Sequence, residues 1–114
     1  MPDERGILLE HLVAYEIHRR KGTPWPDLEL FHFRTKHGVE VDFLLRSGRE
    51  TWAIEVKSAR RLSGSMLGGL RRVRDHLPRV DRRILVFLGE RAQRVDDIEV
   101  LPLEKFLGML PSRG

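Results

Sequence analysis

The feature that most restricts the fold of this chain is a pair of strand-like runs, Val39–Leu45 and Thr51–Lys57. Both runs are rich in β-branched and aromatic residues, and the glycine-containing segment 46–49 between them suits a turn, so a β-hairpin is predicted. Charged residues are depleted in strands, yet these two runs contain Glu40, Asp42, Glu55 and Lys57. The hairpin is therefore also the first place to look for a functional site.

The register of the hairpin decides which of these charged residues meet. A two-residue turn at Ser47-Gly48 would pair Glu40 with Glu55. A turn one residue later would instead place Asp42 opposite Glu55. In either register, side-chain alternation gathers the charged residues on one face and leaves the apolar residues of both strands on the other. The apolar row of the second strand is then Val41, Phe43 and Leu45.

Crowded carboxylates predict a site for a divalent cation, because like charges facing each other destabilise a sheet. Mg²⁺, or Mn²⁺ in its place, binds a few carboxylates, retains water and accepts phosphate oxygens. A lysine such as Lys57 can then orient a water molecule or stabilise developing charge. Glu10 borders the apolar stripe of the first predicted helix and is a further candidate acid. A solvated outer face of the hairpin explains the same charges and stays open as an alternative.

Hydrophobic periodicity predicts the remaining elements. They are a helix at Ile7–Lys21, a strand at Leu28–Thr35, a helix with the stripe Met66, Leu70, Val73 and Leu77, a buried strand at Arg83–Leu88, a short edge strand at Ile98–Leu101 and a short helix at Leu103–Leu110. The order α-β-β-β-α-β predicts an α/β fold with a mixed sheet of four to five strands. Its third and fourth strands should be parallel neighbours, with helices on both faces. We expect one domain spanning residues 1–114.

Composition excludes several classes of site. The chain has no cysteine, which rules out disulfides and thiolate metal sites. Its five histidines show no zinc-like spacing, and neither a P-loop nor a nucleophile elbow occurs. The first residues do not resemble a signal peptide, and no apolar run reaches the length of a membrane span. We therefore expect a cytoplasmic protein without a membrane partner.

Positive charge is concentrated after the hairpin. The segment 58–94 holds ten arginines against three acids, a net charge of +7, whereas the whole chain has a net charge of +4. Such a surface can follow the phosphate backbone of DNA, and a solvated helix face in an arginine-rich protein explains it equally well. The candidate residues for nucleic-acid binding are Arg34, Arg60, Arg61, Arg71, Arg72 and Arg74.

Asp42 followed by Glu55-Val56-Lys57 resembles the D…(D/E)xK motif of the PD-(D/E)XK superfamily, which has the restriction-endonuclease-like αβββαβ core. The resemblance implies that Lys57 is the catalytic lysine, acting with Asp42 and Glu55. It also implies a set of Mg²⁺ ligands consisting of Glu10, Asp42, Glu55 and the carbonyl of Val56. Glu40 would be an additional acid.

A larger set of markers between Gly6 and Ser58 is similar to the nuclease-like domain at the C-terminus of prokaryotic AAA-type ATPases. The markers are Gly6, Glu10, Arg34-Thr35, Glu40–Phe43 and Ile54–Ser58. The resemblance implies Mg²⁺-dependent hydrolysis of DNA, with a non-catalytic module that binds nucleic acid or protein as the alternative. This chain has no P-loop, so it is expected to be either a stand-alone remnant or a separated piece of a larger ATPase. A separate ATPase partner and a homodimer are further expectations.

Overall fold

A single mixed β-sheet of six strands organises the protein in the computed structural model, which describes residues 4–112. The strand order is β1-β2-β3-β4-β6-β5. The elements are α1 (Glu4–His18), β1 (Glu29–Arg34), β2 (Glu40–Ser47), β3 (Glu50–Val56), α2 (Gly68–Arg72), β4 (Arg82–Phe87), β5 (Gln93–Val95), β6 (Ile98–Pro102) and α3 (Leu103–Met109).

Helices cover both faces of the sheet, as the sequence predicts. On one face, α1 and α3 contribute Leu9, Val13, Ile17 and Phe106 to a core that includes Phe43 and Ile54. On the other face, the segment around α2 contributes Leu67, Leu70 and Val73 to a second core with Ala53 and Leu85. The sheet is therefore buried from both sides, which leaves functional side chains at its edges and strand ends.

The helices differ in detail from those predicted. The first helix spans Glu4–His18 rather than Ile7–Lys21. The stripe that begins at Met66 forms no continuous α-helix: α2 is flanked by two 3₁₀ turns, Gly64–Leu67 and Val73–Asp75. Within residues 4–112, no helix is both long enough and apolar enough to cross a membrane.

The central strands have the predicted topology, but the count of four to five strands is wrong. β3 and β4 are parallel neighbours, with Ile54 opposite Ile84. The strand predicted at Ile98–Leu101 exists, but it lies between β4 and β5 and is not an edge strand. The edge strand on this side of the sheet is β5, whose sequence Gln-Arg-Val is too short and too polar to show strand periodicity.

The β2–β3 hairpin adopts the second of the two registers considered. Phe43 pairs with Ile54 and Ser47 with Glu50, so the turn falls at Gly48-Arg49. Gly48 has a φ of 60°, a conformation that glycine adopts at little cost. This register places Asp42 beside Glu55 at the open end of the hairpin.

A β-bulge in β2 changes the expected distribution of side chains. Phe31 pairs with Leu44 and Phe33 with Val41, so two residues of β2 lie opposite His32 alone. Past the bulge, Val41 packs in the core on the α2 side, whereas Phe43 and Leu45 pack on the α1 side. The prediction of one apolar row is therefore wrong at Val41, and the bulge falls at Asp42.

Candidate active site

The side chains of Asp42 and Glu55 are interlocked through the backbone of the hairpin. The amide of Val56 donates to Oδ2 of Asp42 at 2.7 Å, and the amide of Asp42 donates to Oε1 of Glu55 at 2.9 Å. Glu55 is buried, with 8% of its surface exposed, and Asp42 is half-buried. The two candidate acids are thus held together by strand geometry.

The environment of Glu55 opposes its ionisation. Burial, followed by the hydrogen bond and the charge of Asp42, raises the pKa of Glu55 to about 8. Lys57 acts in the opposite direction but is outweighed. A carboxyl group is therefore held protonated near neutral pH beside a second one, which is a frequent property of functional sites.

Lys57 lies at the end of β3, next to this pair. Its Nζ is 3.8 Å from Oε2 of Glu55, and 40% of its side chain is exposed. Its backbone amide donates to the carbonyl of Val86 at 2.9 Å, which extends the pairing of β3 with β4. The ammonium group is therefore anchored at its base and accessible to a ligand at its tip.

Glu10 approaches the same region from α1. Burial, followed by the negative charge of Asp42, raises the pKa of Glu10, whereas His32, His11 and Lys57 lower it. Glu10 is half-buried, and α1 packs over the hairpin through Leu9 and Val13. The structure thus brings Glu10, Asp42 and Lys57 within electrostatic range of one another.

Two further residues of the expected site differ in their surroundings. The backbone of Val56 takes part through its amide, as described, while the predicted role of its carbonyl as a ligand stays a prediction. Glu40 is exposed and lies 3.9 Å from Nε of Arg34, with 65% and 80% of the two side chains exposed. This surface pair gives Glu40 an ordinary explanation outside the acidic pair.

His32 is a neighbour of the site that sequence reasoning missed. Its Nδ1 is hydrogen-bonded to the carbonyl of Asp42 at 2.9 Å, and its ring lies 5.4 Å from that of Phe43. The contact depends on the β-bulge in β2, and no residue pattern in that strand predicts a bulge. Only the position of His32 in a strand next to the charged hairpin could have suggested it.

The donor atoms match a hard divalent cation in kind but do not form a complete ligand set. Carboxylate oxygens are the ligands that Mg²⁺ prefers. Within residues 4–112, however, no three acidic or histidine side chains are grouped as in a formed metal site. A cation here would take Asp42 and Glu55 as its protein ligands and complete its shell with water or phosphate oxygens.

In the described part of the chain, two of the predicted basic residues form ion pairs. Arg34 lies against Glu40, and Arg71 is bound to Asp96 at 2.8 Å. Arg72 and Arg74 are exposed on the α2 side. Arg60 and Arg61 line a cleft of about 630 Å³, together with Arg91 and Gly89, beyond the carboxyl ends of β3 and β4. Arg91 was not predicted as a nucleic-acid-binding residue, although it follows the buried strand β4, whose carboxyl end lies near the site.

Fold and site together define a small mixed α/β domain with a carboxylate pair and a lysine at the open end of its central hairpin. The family model DUF4143, described as a domain of unknown function, matches residues 5–106. The chain therefore belongs to the DUF4143 family. Domains of this family often occur in AAA-ATPase-associated proteins. Comparisons with curated proteins and with solved structures gave no match.

Proposed function

We propose that this domain is a member of the PD-(D/E)XK superfamily that hydrolyses phosphodiester bonds of DNA with Mg²⁺ or Mn²⁺. The observation that carries the proposal is the pairing of Asp42 with Glu55 at the end of the hairpin, beside Lys57. Burying two carboxyl groups together is unfavourable unless a ligand compensates for their charge. A divalent cation is the ligand whose chemistry fits these oxygen atoms.

Each residue then has a separate task. Asp42 and Glu55 would hold the cation, and Glu10 would add negative charge at the side of Asp42. When bound, Mg²⁺ would acidify a coordinated water molecule and neutralise charge on the phosphoryl group. The accessible ammonium group of Lys57 would orient that water or stabilise the charge that develops on the phosphate.

The alternative proposal is a nuclease-fold module that binds nucleic acid or protein without cutting. One observation favours it: within residues 4–112, the acids and histidines do not form a three-ligand cluster. In this case the paired carboxyls would be a retained structural feature, and the basic cleft would be the functional surface. Cleavage assays with purified protein separate the two proposals.

We expect Asp42→Asn to abolish both cleavage and cation binding. Asparagine still offers Oδ1 to the amide of Val56, so the hairpin should fold, but the charge that attracts the cation is gone. We expect cleavage to fall by at least about 10³-fold, with loss of the rise in melting temperature that Mn²⁺ produces by mass action. The assay uses single-stranded, duplex and branched DNA with Mg²⁺, Mn²⁺ or EDTA.

Lys57→Ala and Glu50→Gln complete this experiment. Lys57→Ala should keep the response to Mn²⁺ and lose cleavage, because lysine acts on the water and the phosphate and not on the cation. Glu50→Gln removes an exposed acid at the other end of β3 and should behave like the wild type. A wild type that binds DNA but neither binds Mn²⁺ nor cuts would support the non-cutting module instead.

We propose that the backbone of DNA bound at the hairpin continues into the cleft beyond β3 and β4. Arg60, Arg61 and Arg91 line it against a single acid, Glu90. Within the described part of the chain, none of these three arginines forms an ion pair. Arginines that are not already paired release counterions when they contact phosphates, which adds to affinity.

Replacing Arg60, Arg61 and Arg91 together by glutamine should weaken DNA binding and flatten its dependence on salt. Losing three phosphate contacts should lower the slope of log K against log salt by about 2 to 3. Lys21, Arg46 and Arg49 line another cleft, next to the hairpin turn, and their replacement by glutamine is the charge-matched control. Equal losses in both triple variants would mean that binding follows net charge and not the cleft.

A further inference from the structure

Exposed apolar side chains are concentrated around one helix. In the described part of the chain, six large apolar residues are exposed, and five of them belong to α1 or to the edge strand β1: Ile7, Leu8, Leu12, Tyr15 and Phe31. Leu8 and Tyr15 are 66% and 62% exposed. Several exposed apolar side chains on one element of an otherwise charged surface are typical of an interaction site.

Three of these residues form a stripe on the outer side of α1. Leu8, Leu12 and Tyr15 follow the spacing i, i+4 and i+7, which places them on one face of a helix. The buried residues of the helix, Leu9, Val13 and Ile17, lie on the opposite face. Leu12 is therefore not part of the core. We name Leu8, Leu12 and Tyr15 the α1 stripe.

Opposite charges stand at the two ends of the α1 stripe. Glu4 lies one turn before Leu8, at the start of α1. Arg19 lies one turn after Tyr15, and its amide donates to the Tyr15 carbonyl at 2.9 Å, which continues the helical pattern. Both end residues are exposed. Arg19 also donates through Nε to Oε1 of Glu16 at 2.8 Å, and half of its side chain stays exposed to a second carboxylate. The pattern along this face thus reads acid, three apolar residues, base.

We propose that the α1 stripe is the interface between two copies of this chain, with the α1 helices packed antiparallel about a twofold axis near Leu12. In that arrangement Leu8 of each copy packs against Tyr15 of the other, and Glu4 meets Arg19 at both ends. Every contact occurs twice, as in any twofold interface. A parallel arrangement would bring Glu4 against Glu4 and Arg19 against Arg19, which repel each other.

The proposed dimer does not depend on the proposed nuclease function. Glu10 is two residues from Leu8, about 200° around the helix, so pairing through the α1 stripe leaves the carboxylate site uncovered. One pair of four-turn helices buries less than the roughly 800 Å² per partner of a standard interface. We therefore expect a reversible dimer whose population depends on concentration.

Sedimentation velocity across protein concentrations tests the proposal. The mass of the wild type should rise from 13.3 kDa toward twice that value as the concentration rises from about 10 μM to about 1 mM. The double variant Leu8→Ser and Tyr15→Ser should stay monomeric with an unchanged fold. Leu88→Ser removes an exposed leucine outside the patch and should dimerise like the wild type.

Charge reversal determines whether the helices pair antiparallel. Glu4→Arg and Arg19→Glu should each weaken the dimer at least about threefold, because each creates two like-charge contacts. The two substitutions combined should restore dimerisation, since the pair is only exchanged. A wild type that stays monomeric near 1 mM would overturn the proposal, as would a dimer that survives Leu8→Ser with Tyr15→Ser or a combined charge variant that shows no recovery.

Discussion

Replacing Glu55 by glutamine should stabilise the protein at alkaline pH when divalent cations are removed. Burial and the neighbouring Asp42 raise the pKa of Glu55 to about 8. The folded protein must therefore either hold a proton on this group or accept an unfavourable buried charge. Glutamine avoids both, because its amide oxygen can still accept from the amide of Asp42 and its NH₂ group can donate to the carboxylate of Asp42.

The direction of the pH dependence follows from the raised pKa. Glu55 binds a proton more tightly in the folded state than in the unfolded state, so its contribution to stability is fully present below about pH 4.5. That contribution is lost as the pH rises towards 8. A pKa difference of this size between the folded and unfolded states corresponds to roughly 2–5 kcal/mol of unfolding free energy. We expect Glu55→Gln to remove most of the decrease in unfolding free energy with pH. At pH 9 its free energy of unfolding should exceed that of the wild type by at least about 2 kcal/mol.

Urea unfolding between pH 5 and pH 9 in EDTA measures this effect. Glu16→Gln is a control of opposite sign, because hydrogen bonds from Arg20 and Arg19 lower the pKa of Glu16. The ionised form of Glu16 favours folding, and its replacement should cost stability at neutral and alkaline pH. If Glu55→Gln and the wild type have the same unfolding free energy at every pH, Glu55 ionises normally. The pairing of Asp42 with Glu55 then carries no energetic cost.

The sequence was sufficient for the central architecture because each central element has a strong local pattern. β-Branched and aromatic residues predict β3, a continuous apolar run predicts β4, and the crossover between them makes these strands parallel. The acids of the hairpin could be identified for the same reason, since Asp42 and Glu55 interrupt strand-forming residues. Two turn positions then remained, and both of the resulting registers bring the acids to one face of the hairpin.

Features that depend on contacts between distant segments could not be predicted. The β-bulge opposite His32 arises from the pairing of β1 with β2, and the residues of neither strand require it. The sequence predicts Arg71 as a nucleic-acid-binding residue but gives no sign of its bond to Asp96, 25 positions along the chain. β5 is a strand because its three residues pair with β6, which lies next to it in the sheet.

Gly69→Ala should be among the most destabilising single substitutions in this protein. A Cβ atom at position 69 would overlap the carbonyl oxygen of Glu40, a contact that neither backbone can tolerate without moving. Because α2 and β2 would have to separate, we expect a loss of about 2–3 kcal/mol. For a domain of this size the melting temperature should fall by roughly 10 °C.

Gly68→Ala is the matched control, one residue away in the same helix. A Cβ atom at position 68 meets no other atom within 4 Å, and Gly68 has the helical φ of −55°. Alanine there should stabilise the protein by up to about 1 kcal/mol, because glycine is a poor helix former. Two adjacent glycines should therefore respond in opposite directions, and similar responses would show that α2 does not rest on the Glu40 carbonyl.

The close approach at Gly69 also connects the fold to the proposed site. Glu40 is two residues from Asp42, so a shift of its carbonyl should move the carboxylate that pairs with Glu55. We therefore expect Gly69→Ala to weaken Mn²⁺ binding even at temperatures where the variant is folded, whereas Gly68→Ala should leave it unchanged. Mn²⁺ titration of both variants at low temperature measures this effect separately from the loss of stability. Equal affinities would mean that the end of β2 holds Asp42 in place without support from α2.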